Sequence, residues 1–244
     1  MNTDTPFKRF AAFADLTPAE RAALIDLAGP VSPYGRNEII RHEQDPVDGV
    51  FLLNEGWVLT TASFAEGDRQ VLNIHLPGDI MGAPSLALEK AAETITAVTD
   101  VAVSKIPARK LSRIFPELPR LAMLFFLAAQ EEQVVLADRL TSLGRRSAKQ
   151  GLCAFLIYLH DRVSISDDAG ILSFDLPLNQ AQIADVLGIH LVHVNRMFRA
   201  LEDEGLVRRN GKRITLLEVE EVRRMTGLPQ RHLARNIPWL PPAS

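Results

Sequence analysis

The chain has 244 residues, 47% of them hydrophobic and 23% charged, with a formal net charge of −3, so it is globular and long enough for one large domain or two small ones. No apolar run reaches the eighteen or so residues of a membrane span, and residues 1–10 lack the apolar segment of a signal peptide, so we expect a cytoplasmic protein. Its one cysteine, Cys153, excludes an intrachain disulfide and a cysteine-rich metal or iron–sulfur site.

Residues 1–30 are predicted to be helical. Thr17 stands at the N-cap position, Pro18 at the first helical position and Glu20 at the third, which is the pattern of a capping box. A Gly-Pro pair at positions 29–30 ends the helix.

The pattern then changes to short β-type segments separated by turns. Over about residues 31–107, examples of these segments are 38–40, 49–53, 57–61, 70–75, 94–98 and 101–103, and turn residues stand at 54–56, 66–68 and 77–79. Several short strands at near-regular spacing are typical of a closed or rolled antiparallel sheet.

Two helices are predicted next, a short one over 107–115 that Pro116 ends and a long one over 117–144. Side chains along the long helix recur at alternating spacings of three and four, which suits a coiled-coil seam between two chains. The seam consists of Ala122, Phe126, Ala129, Gln133, Leu136, Leu140 and Leu143. Other apolar side chains lie off the seam, so the helix is expected to pack on its own domain as well; packing there alone is the alternative.

Residues 145–161 predict a further amphipathic helix, and residues 164–175 a polar loop or hairpin. Residues 218–225 predict a short helix, and the proline-rich tail after it is expected to be extended.

Residues 178–216 predict two short helices joined by a tight turn, followed by a two-stranded hairpin. Ile183 and Leu187 share one helical face, and Gly188 follows where the first helix ends. Asn210-Gly211, flanked by apolar residues, predicts the hairpin turn. Helix pairs of this kind also occur in α-domains that never contact nucleic acid, but with the hairpin the pattern favours a winged helix-turn-helix.

The positive charge is concentrated in this stretch. Residues 178–216 hold six Lys or Arg against four Asp or Glu, a net +2, in a chain whose formal net charge is −3. The difference is small, but the local sign of charge matters more for phosphate binding than the total.

In order, the predicted roll of strands, long helix and winged helix-turn-helix resemble the Crp/Fnr superfamily of bacterial transcription regulators over about residues 10–225. The motifs that carry the resemblance are FLLNEGWV at 51–58, LPGDIMG at 76–82, and the helix-turn-helix with Leu201-Glu202 and Gly205-Leu206. The resemblance implies an α+β fold with an N-terminal antiparallel β-roll (a double-stranded β-helix, jelly-roll-like), a long dimerisation helix and a C-terminal winged helix-turn-helix.

The same resemblance implies how the chain is divided and what it binds. A sensory β-roll like a cyclic-nucleotide-binding domain is expected at 1–115, a dimerisation helix at 116–144, a DNA-binding domain at 145–225 and a tail at 226–244. The expected partners are double-stranded DNA with a palindromic operator, a second copy of the chain, and RNA polymerase at target promoters.

The nucleotide pocket of the family is not retained. Cyclic-AMP-binding members have a Gly-Glu-Leu segment after the Gly-Asp turn, whose Glu holds the ribose, and an Arg-Ser pair that takes the phosphate. The effector-pocket equivalents in this chain are Gly78, Asp79, Gly82, Ala83, Ala91 and Ala92. Alanine side chains offer a cyclic phosphate neither charge nor hydrogen-bond donor, so we expect no tight binding of cyclic AMP.

Other cofactors of the family are considered in the same way. The oxygen-sensing branch holds its iron–sulfur cluster through several cysteines, which this chain lacks. His42 and His75 are conceivable axial ligands of a haem. His42 lies in a polar loop and His75 ends a predicted strand, however, and neither placement requires a haem. The effector, or whether there is one, stays open.

The predicted recognition helix departs from the family pattern, in which an Arg and a Glu near its start read bases. The stretch here is HLVHVNR at 190–196, so only the final Arg of the pattern is kept. The candidate base readers are Arg196, which can bond O6 and N7 of guanine, Val192, which can contact a thymine methyl group, His193 and Asn195. The candidate phosphate contacts are His190, Arg199, Arg208, Arg209, Lys212 and Arg213, although a solvated charged face explains each equally well.

No catalytic or metal site is predicted, because the sequence has no glycine-rich phosphate loop, no cysteine nucleophile with a nearby histidine and no paired metal-ligand motif. We therefore predict a sequence-specific DNA-binding regulator, not an enzyme, under control of a signal on the roll. Two alternatives remain: an effector-independent regulator, and a small-molecule sensor module whose winged helix mediates protein contacts.

Overall fold

The computed structural model describes residues 7–63, 69–166, 172–235 and 237–243, without the side chains of residues 8, 141–145 and 164–166. The chain divides into two units, one of Met1–Gln133 with His232–Ser244 and the other of Val134–Arg231. Among the described helices, none combines the length and the apolar character that crossing a membrane requires.

The first unit begins with helices α1 (Lys8–Ala11) and α2 (Pro18–Leu27). The predicted capping box is confirmed: the Glu20 N–H donates to Thr17 Oγ1 at 3.2 Å, and the Thr17 N–H donates to the Glu20 carboxylate at 2.8 Å. These bonds satisfy N–H groups that the start of a helix otherwise leaves without partners.

The strands of this unit form two four-stranded antiparallel sheets. They are β1 (Val31–Tyr34), β2 (Ile39–Arg41), β3 (Gly49–Glu55), β4 (Val58–Ser63), β5 (Arg69–His75), β6 (Ile80–Met81), β7 (Thr94–Ala97) and β8 (Val101–Pro107). One sheet has the order β1-β8-β3-β6 and the other β2-β7-β4-β5. The predicted antiparallel roll is confirmed. The prediction allowed a closed or a rolled sheet, and the sheets are rolled: over the described strands no pairing closes them into a barrel.

Strands β1 and β6 are absent from the sequence prediction. Every residue of β1 is exposed or half-buried, and it contains Pro33, so it lacks the alternation of a half-buried strand and lies at a sheet edge. β6 has two residues, too few for any periodicity to show.

Strand β3 is buried on both faces because it lies between two cores. Val50 and Leu52 pack with the helices, whereas Phe51 and Leu53 point into the cluster shared by the two sheets. Alternate residues of a strand face opposite ways, so β3 joins the helical layer to the roll.

Helices α3 (Ala108–Glu117) and α4 (Pro119–Arg145) correct the prediction that Pro116 ends the shorter helix and the longer one starts at 117. Pro116 lies inside the last turn of α3, and the Leu118 N–H closes that helix on the Ile114 carbonyl at 2.8 Å. A proline is tolerated there because the helix loses little when it ends two residues later.

Helix α4 has two faces with different surroundings. Leu121 and Leu124 are fully buried in the core of the first unit, and Ala122, predicted for the seam, is buried with them at 5% exposure. The other seam positions with described side chains, Phe126, Ala129, Gln133, Leu136 and Leu140, are exposed. The side chain of Leu143 lies outside the described residues.

A buried guanidinium links three segments of the first unit. Arg9 of α1 donates through Nη1 to Asp79 at 2.6 Å and to Glu132 of α4 at 3.0 Å, and through Nη2 to Glu131 at 3.4 Å. Arg9 and Asp79 are 9% and 1% exposed at their side chains. A charge pair so far from water depends on each partner to compensate the other.

The second unit contains α5 (Ala148–Ser166), β9 (Ser173–Asp175), α6 (Gln180–Leu187), α7 (Leu191–Asp203), β10 (Val207–Asn210), β11 (Arg213–Leu216) and α8 (Val219–Met225). The sheet order is β10-β11-β9, so part of the predicted loop or hairpin before the helix pair is a strand that pairs with β11. The other half of a hairpin there, residues 167–171, lies outside the described residues.

Helix α8 is attached to α5 by a two-pronged ion pair. Arg223 Nη1 and Nη2 donate to the Asp161 carboxylate at 2.8 and 2.7 Å. Burial raises the pKa of Asp161 by desolvation, but hydrogen bonds from Arg223 and His160 outweigh it and lower the pKa below its ordinary value.

After α8 the chain returns to the first unit. Leu233 and Leu240 pack against its helical core, and Arg235 Nε donates to the Ala12 carbonyl at 3.3 Å. The predicted extended tail is therefore docked on residues near the other end of the chain.

We expect Arg9→Ala to destabilise the first unit by about 3–5 kcal/mol, because it leaves the buried Asp79 without its cation. Both tryptophans, Trp57 and Trp239, belong to this unit, so tryptophan fluorescence during urea unfolding measures its stability directly. The matched control is Arg113→Ala, which breaks an exposed pair with Glu117 and should leave the midpoint in place. Equal midpoints for the two variants would contradict the role given to Arg9.

Candidate nucleic-acid interface

Helix α6 and the turn after it are held by local hydrogen bonds. The Gln182 N–H donates to Asn179 Oδ1 at 2.8 Å, and the Asn179 N–H donates to Gln182 Oε1 at 2.9 Å, a second capping box. Gly188 ends the helix with φ at 62°, the left-handed conformation that favours glycine, and its N–H bonds the Ala184 carbonyl. The predicted turn is thereby confirmed, and it leads directly into α7.

Helix α7 separates a buried face from an exposed one. Val194, Phe198 and Leu201 are buried at intervals of four and three. Val192, Arg196 and Arg199 repeat the same intervals on the opposite side and are exposed, Val192 to 75%. This exposed face is wide enough and polar enough to meet base edges in a major groove, which admits one α-helix.

The first turn of α7 has no side-chain cap. His190 occupies the N-cap position without a side-chain hydrogen bond to the helix and is exposed. The His193 N–H bonds the His190 carbonyl at 2.9 Å, whereas no side chain caps the N–H groups before it, and the helix dipole favours an anion such as a phosphate at this end.

The polar side chains in the second turn of α7 are already in contact. Arg196 Nη2 lies 2.7 Å from His193 Nδ1. Asn195 exchanges two hydrogen bonds with Gln180, the first residue of α6. Sequence reasoning missed Gln180, because it is fifteen residues from its partner and nothing in the sequence gives the angle between the two helices.

The hairpin turn lies one residue later than predicted. Asn210 pairs with Arg213 at the end of the ladder, so the two-residue loop is Gly211-Lys212 and not Asn210-Gly211. Gly211 has φ at 62°, which suits the first central position of a two-residue hairpin loop and allows Asn210 to stay in the strand.

Arg209 is engaged within the second unit. Its Nε and Nη2 donate to the Glu202 carboxylate at 3.0 and 2.6 Å, and its guanidinium lies 4.5 Å from the centre of the Phe198 ring. The hydrogen bonds from Arg209 lower the pKa of Glu202. Arg209 therefore fixes the hairpin to α7. Because its guanidinium is bound to Glu202, it is less available to a phosphate than an unpaired cation.

The other basic candidates are exposed. Arg213 forms a loose ion pair with Asp175 at 3.4 Å, with both side chains more than half exposed, and such pairs hold little energy. Arg199, Arg208 and Lys212 form no ion pair with any described residue. Together with Arg196 they are the basic side chains that this part of the unit offers to a polyanion.

Two of the effector-pocket equivalents, Gly82 and Ala92, lie beside a buried ion pair. Arg41 Nη2 donates to the Glu93 carboxylate at 2.5 Å, and both side chains are 6% exposed. Ser85 donates to the same carboxylate at 2.6 Å and accepts from the Ala92 N–H at 3.0 Å. A Cβ atom on Gly82, which has φ at 80°, would lie 2.8 Å from the guanidinium of Arg41.

The remaining equivalents serve the fold. Gly78 forms the turn before β6 with φ at 97° and donates to the Leu53 carbonyl. Asp79 is bound to Arg9, Ala91 is fully buried, and Ala83 begins a short 3₁₀ turn, Ala83–Ala87. Arg41, Ser85 and Glu93 were not singled out from the sequence, where up to 52 positions separate them.

The two candidate haem ligands and the single cysteine have different surroundings. His42 is exposed in a loop, whereas His75 is buried at the end of β5, 3.4 Å from Thr60 Oγ1 and 3.8 Å from Asp79. Burial raises the pKa of the Cys153 thiol to about 11, so it stays protonated at neutral pH, and the thiol is a poor ligand and nucleophile. Among the described residues, no three His, Cys, Asp or Glu side chains are grouped to hold a metal ion.

Known families match both parts of this chain. The family model for the cyclic nucleotide-binding domain matches residues 31–117, and that for the Crp-like helix-turn-helix domain matches residues 150–225. The transcriptional activatory protein AadR of Rhodopseudomonas palustris is 31% identical over 206 residues, 84% of each chain. The transcriptional regulatory protein btr of Bordetella pertussis is 27% identical over 192 residues, 79% of each chain.

Solved structures show the same arrangement of elements. FixK2 from Bradyrhizobium japonicum superposes with a TM-score of 0.73 at 23% identity, over 84% of this chain and 100% of that one. A CooA mutant from Carboxydothermus hydrogenoformans gives a TM-score of 0.66 at 20% identity, over 81% and 87%. At these identities the likeness establishes a shared fold.

We expect calorimetry to detect no micromolar binding of cyclic AMP or cyclic GMP. Arg41, the buried cation beside Gly82, is already bound to the chain's own Glu93. A micromolar dissociation constant for either nucleotide would contradict this. In Glu93→Ala the guanidinium loses its carboxylate, so added acetate should raise the melting temperature of this variant and leave that of the wild type unchanged.

Proposed function

This chain belongs to the Crp/Fnr family of DNA-binding transcription regulators, and on that premise we propose that it binds a palindromic operator as a homodimer, with α7 in the major groove. The single observation that carries this proposal is the exposed face of α7 formed by Val192, Arg196 and Arg199. It lies beside a hairpin that carries further exposed cations, Arg208 in β10 and Lys212 in the loop.

Each side chain of this face has a role that fits its chemistry. Arg196 has the planar pair of donors that matches O6 and N7 of guanine, and its contact with His193 orients it along the helix. Val192 fits a thymine methyl group. His190, Arg199, Arg208, Lys212 and Arg213 contact phosphates and set the register of the helix on the duplex. Arg209 positions the hairpin.

The homodimer forms along the exposed stripe of α4. Phe126 and Leu140 are 53% and 70% exposed, and Ala129, Gln133 and Leu136 complete the stripe at spacings of three and four. Apolar side chains with this periodicity are buried when two helices pack side by side. Two-fold dimers place their recognition helices about one turn of DNA apart, which is why the operator is palindromic.

The signal acts on the roll, and α4 transmits its effect to the DNA-binding unit. At target promoters, in the cytoplasm, the bound dimer contacts RNA polymerase. A second candidate function, an effector-independent regulator, is favoured by the Arg41–Glu93 pair, because the charge of the guanidinium is already matched by a carboxylate of the same unit. A sensor module whose winged helix contacts only proteins would fail to retard DNA from its own promoter region in a gel shift.

Arg196→Ala should cost about 1–3 kcal/mol at the cognate operator and relax discrimination at one base pair, because a bidentate base contact is lost. Lys212→Ala should weaken all sequences alike and reduce the salt slope of binding by about one. Fluorescence anisotropy on the operator, its single-base variants and random DNA measures both. Arg113→Ala, on the first unit, is the control without effect. Equal losses for Arg196→Ala on operator and random DNA would contradict its base-reading role.

Leu140→Glu should convert the dimer to a monomer at micromolar concentration, because the new carboxylate would be buried against the partner's apolar stripe without a cation. Sedimentation equilibrium measures the change. Leu88→Glu is the matched control, since Leu88 is also exposed, to 50%, but follows the 3₁₀ turn Ala83–Ala87 and is not part of α4. A dimer that persists in Leu140→Glu would place the interface elsewhere.

A further inference from the structure

Two amide side chains of the helix pair are joined face to face. Gln180 Nε2 donates to Asn195 Oδ1 at 2.7 Å, and Asn195 Nδ2 donates to Gln180 Oε1 at 2.7 Å. Gln180 is the first residue of α6, and Asn195 lies in the second turn of α7. The contact therefore spans the two helices at the end where both meet solvent.

This pair uses the edge of Asn195 that base reading would need. A side-chain amide has one edge on which its oxygen and one N–H lie side by side. A reciprocal amide pair occupies that edge, and a bidentate contact to N7 and N6 of adenine requires the same one. While Asn195 is bound to Gln180, it has no such edge to offer adenine.

Each amide keeps one outer N–H, and neither side chain has a further hydrogen-bond partner among the described residues. Gln180 is exposed and Asn195 half-buried, and the contact between them lies at the surface of the unit. Asn195 stands one turn from Val192 and one from Arg199, while Gln180 starts the helix that crosses the DNA backbone in helix-turn-helix proteins. Phosphate oxygens are acceptors only, and Asn and Gln are among their common protein donors.

We propose that Gln180 and Asn195 act as one positioning unit, which sets α7 against α6 and donates to a backbone phosphate, and that Asn195 does not read a base. This inference rests on the proposed function and replaces the base-reading role predicted for Asn195 from the sequence. Gln180 thereby becomes a residue of the interface although it lies outside the recognition helix.

The first test compares Gln180→Ala, Asn195→Ala and the double variant on the operator and on each of its single-base variants. Each single variant should lose about fivefold in affinity on every sequence, the effect of about one net hydrogen bond. The double variant should lose no more than about twofold beyond either single one. Arg196→Ala provides the contrast, since its loss falls on one base pair.

The second test exchanges the two side chains. In Gln180→Asn combined with Asn195→Gln the summed side-chain length is unchanged, so the reciprocal pair can re-form, and affinity should return to within about twofold of the wild type. Gln180→Asn or Asn195→Gln alone should remain weakened. Methylphosphonate substitution, which removes the charge of one DNA phosphate at a time, distinguishes a phosphate contact from a merely structural role. At one position the substitution should weaken DNA binding by the wild type and have no further effect on binding by Asn195→Ala.

Several outcomes would overturn the inference while the proposed function stands. They are a loss in Asn195→Ala confined to one A·T pair, additive losses in the double variant, failure of the exchanged pair to recover, or a methylphosphonate profile in Asn195→Ala identical to that of the wild type. Melting temperatures within about 2 °C of the wild type verify that each variant is folded. Failure of the wild type to bind its promoter DNA would instead overturn the proposed function itself.

Discussion

The first unit depends on one buried guanidinium. Arg9 is surrounded by the carboxylates of Asp79, Glu131 and Glu132, which come from the turn before β6 and from α4. Because none of these groups is stable alone in a poorly solvated site, the N-terminal helix, the roll and α4 must be in place together. Any change of the roll that moves Asp79 is therefore felt at α4, the helix that carries the proposed dimer stripe.

The same principle divides the cations of the chain into two classes. Arg9, Arg41 and Arg209 are each bound to a carboxylate of their own unit, and they fix the position of a helix, a pocket and a hairpin. The cations proposed to contact DNA differ: Arg199, Arg208 and Lys212 form no ion pair with any described residue, and Arg213 has only its exposed pair with Asp175. In a chain with a formal net charge of −3, the local sign of charge therefore depends on which cations are paired within their own unit.

The sequence was informative wherever a feature depends on neighbouring positions. The capping box at Thr17, the glycine turn at Gly188 and the buried face of α7 are all local patterns, and the structure has all three. Two partial errors, at Pro116 and at the hairpin tip, are shifts of one or two residues, because a last helical turn and a two-residue loop each accept more than one register. The contacts that escaped prediction, Arg41–Glu93 and Gln180–Asn195, join positions far apart in sequence, and no periodicity marks them.

The docked tail has a consequence for how the protein is made. Leu233 and Leu240 belong to the packing of the unit that starts with α1, and 223 positions separate the hydrogen-bonded Arg235 and Ala12. In sequence order the second unit is thus an insertion within the first. During synthesis from the N-terminus at roughly 5–20 residues per second, part of the helical core of the first unit stays uncovered until the tail has been made. The DNA-binding unit ends at residue 231, so all of its residues are synthesised before Leu233 and Leu240 can complete the helical core of the first unit.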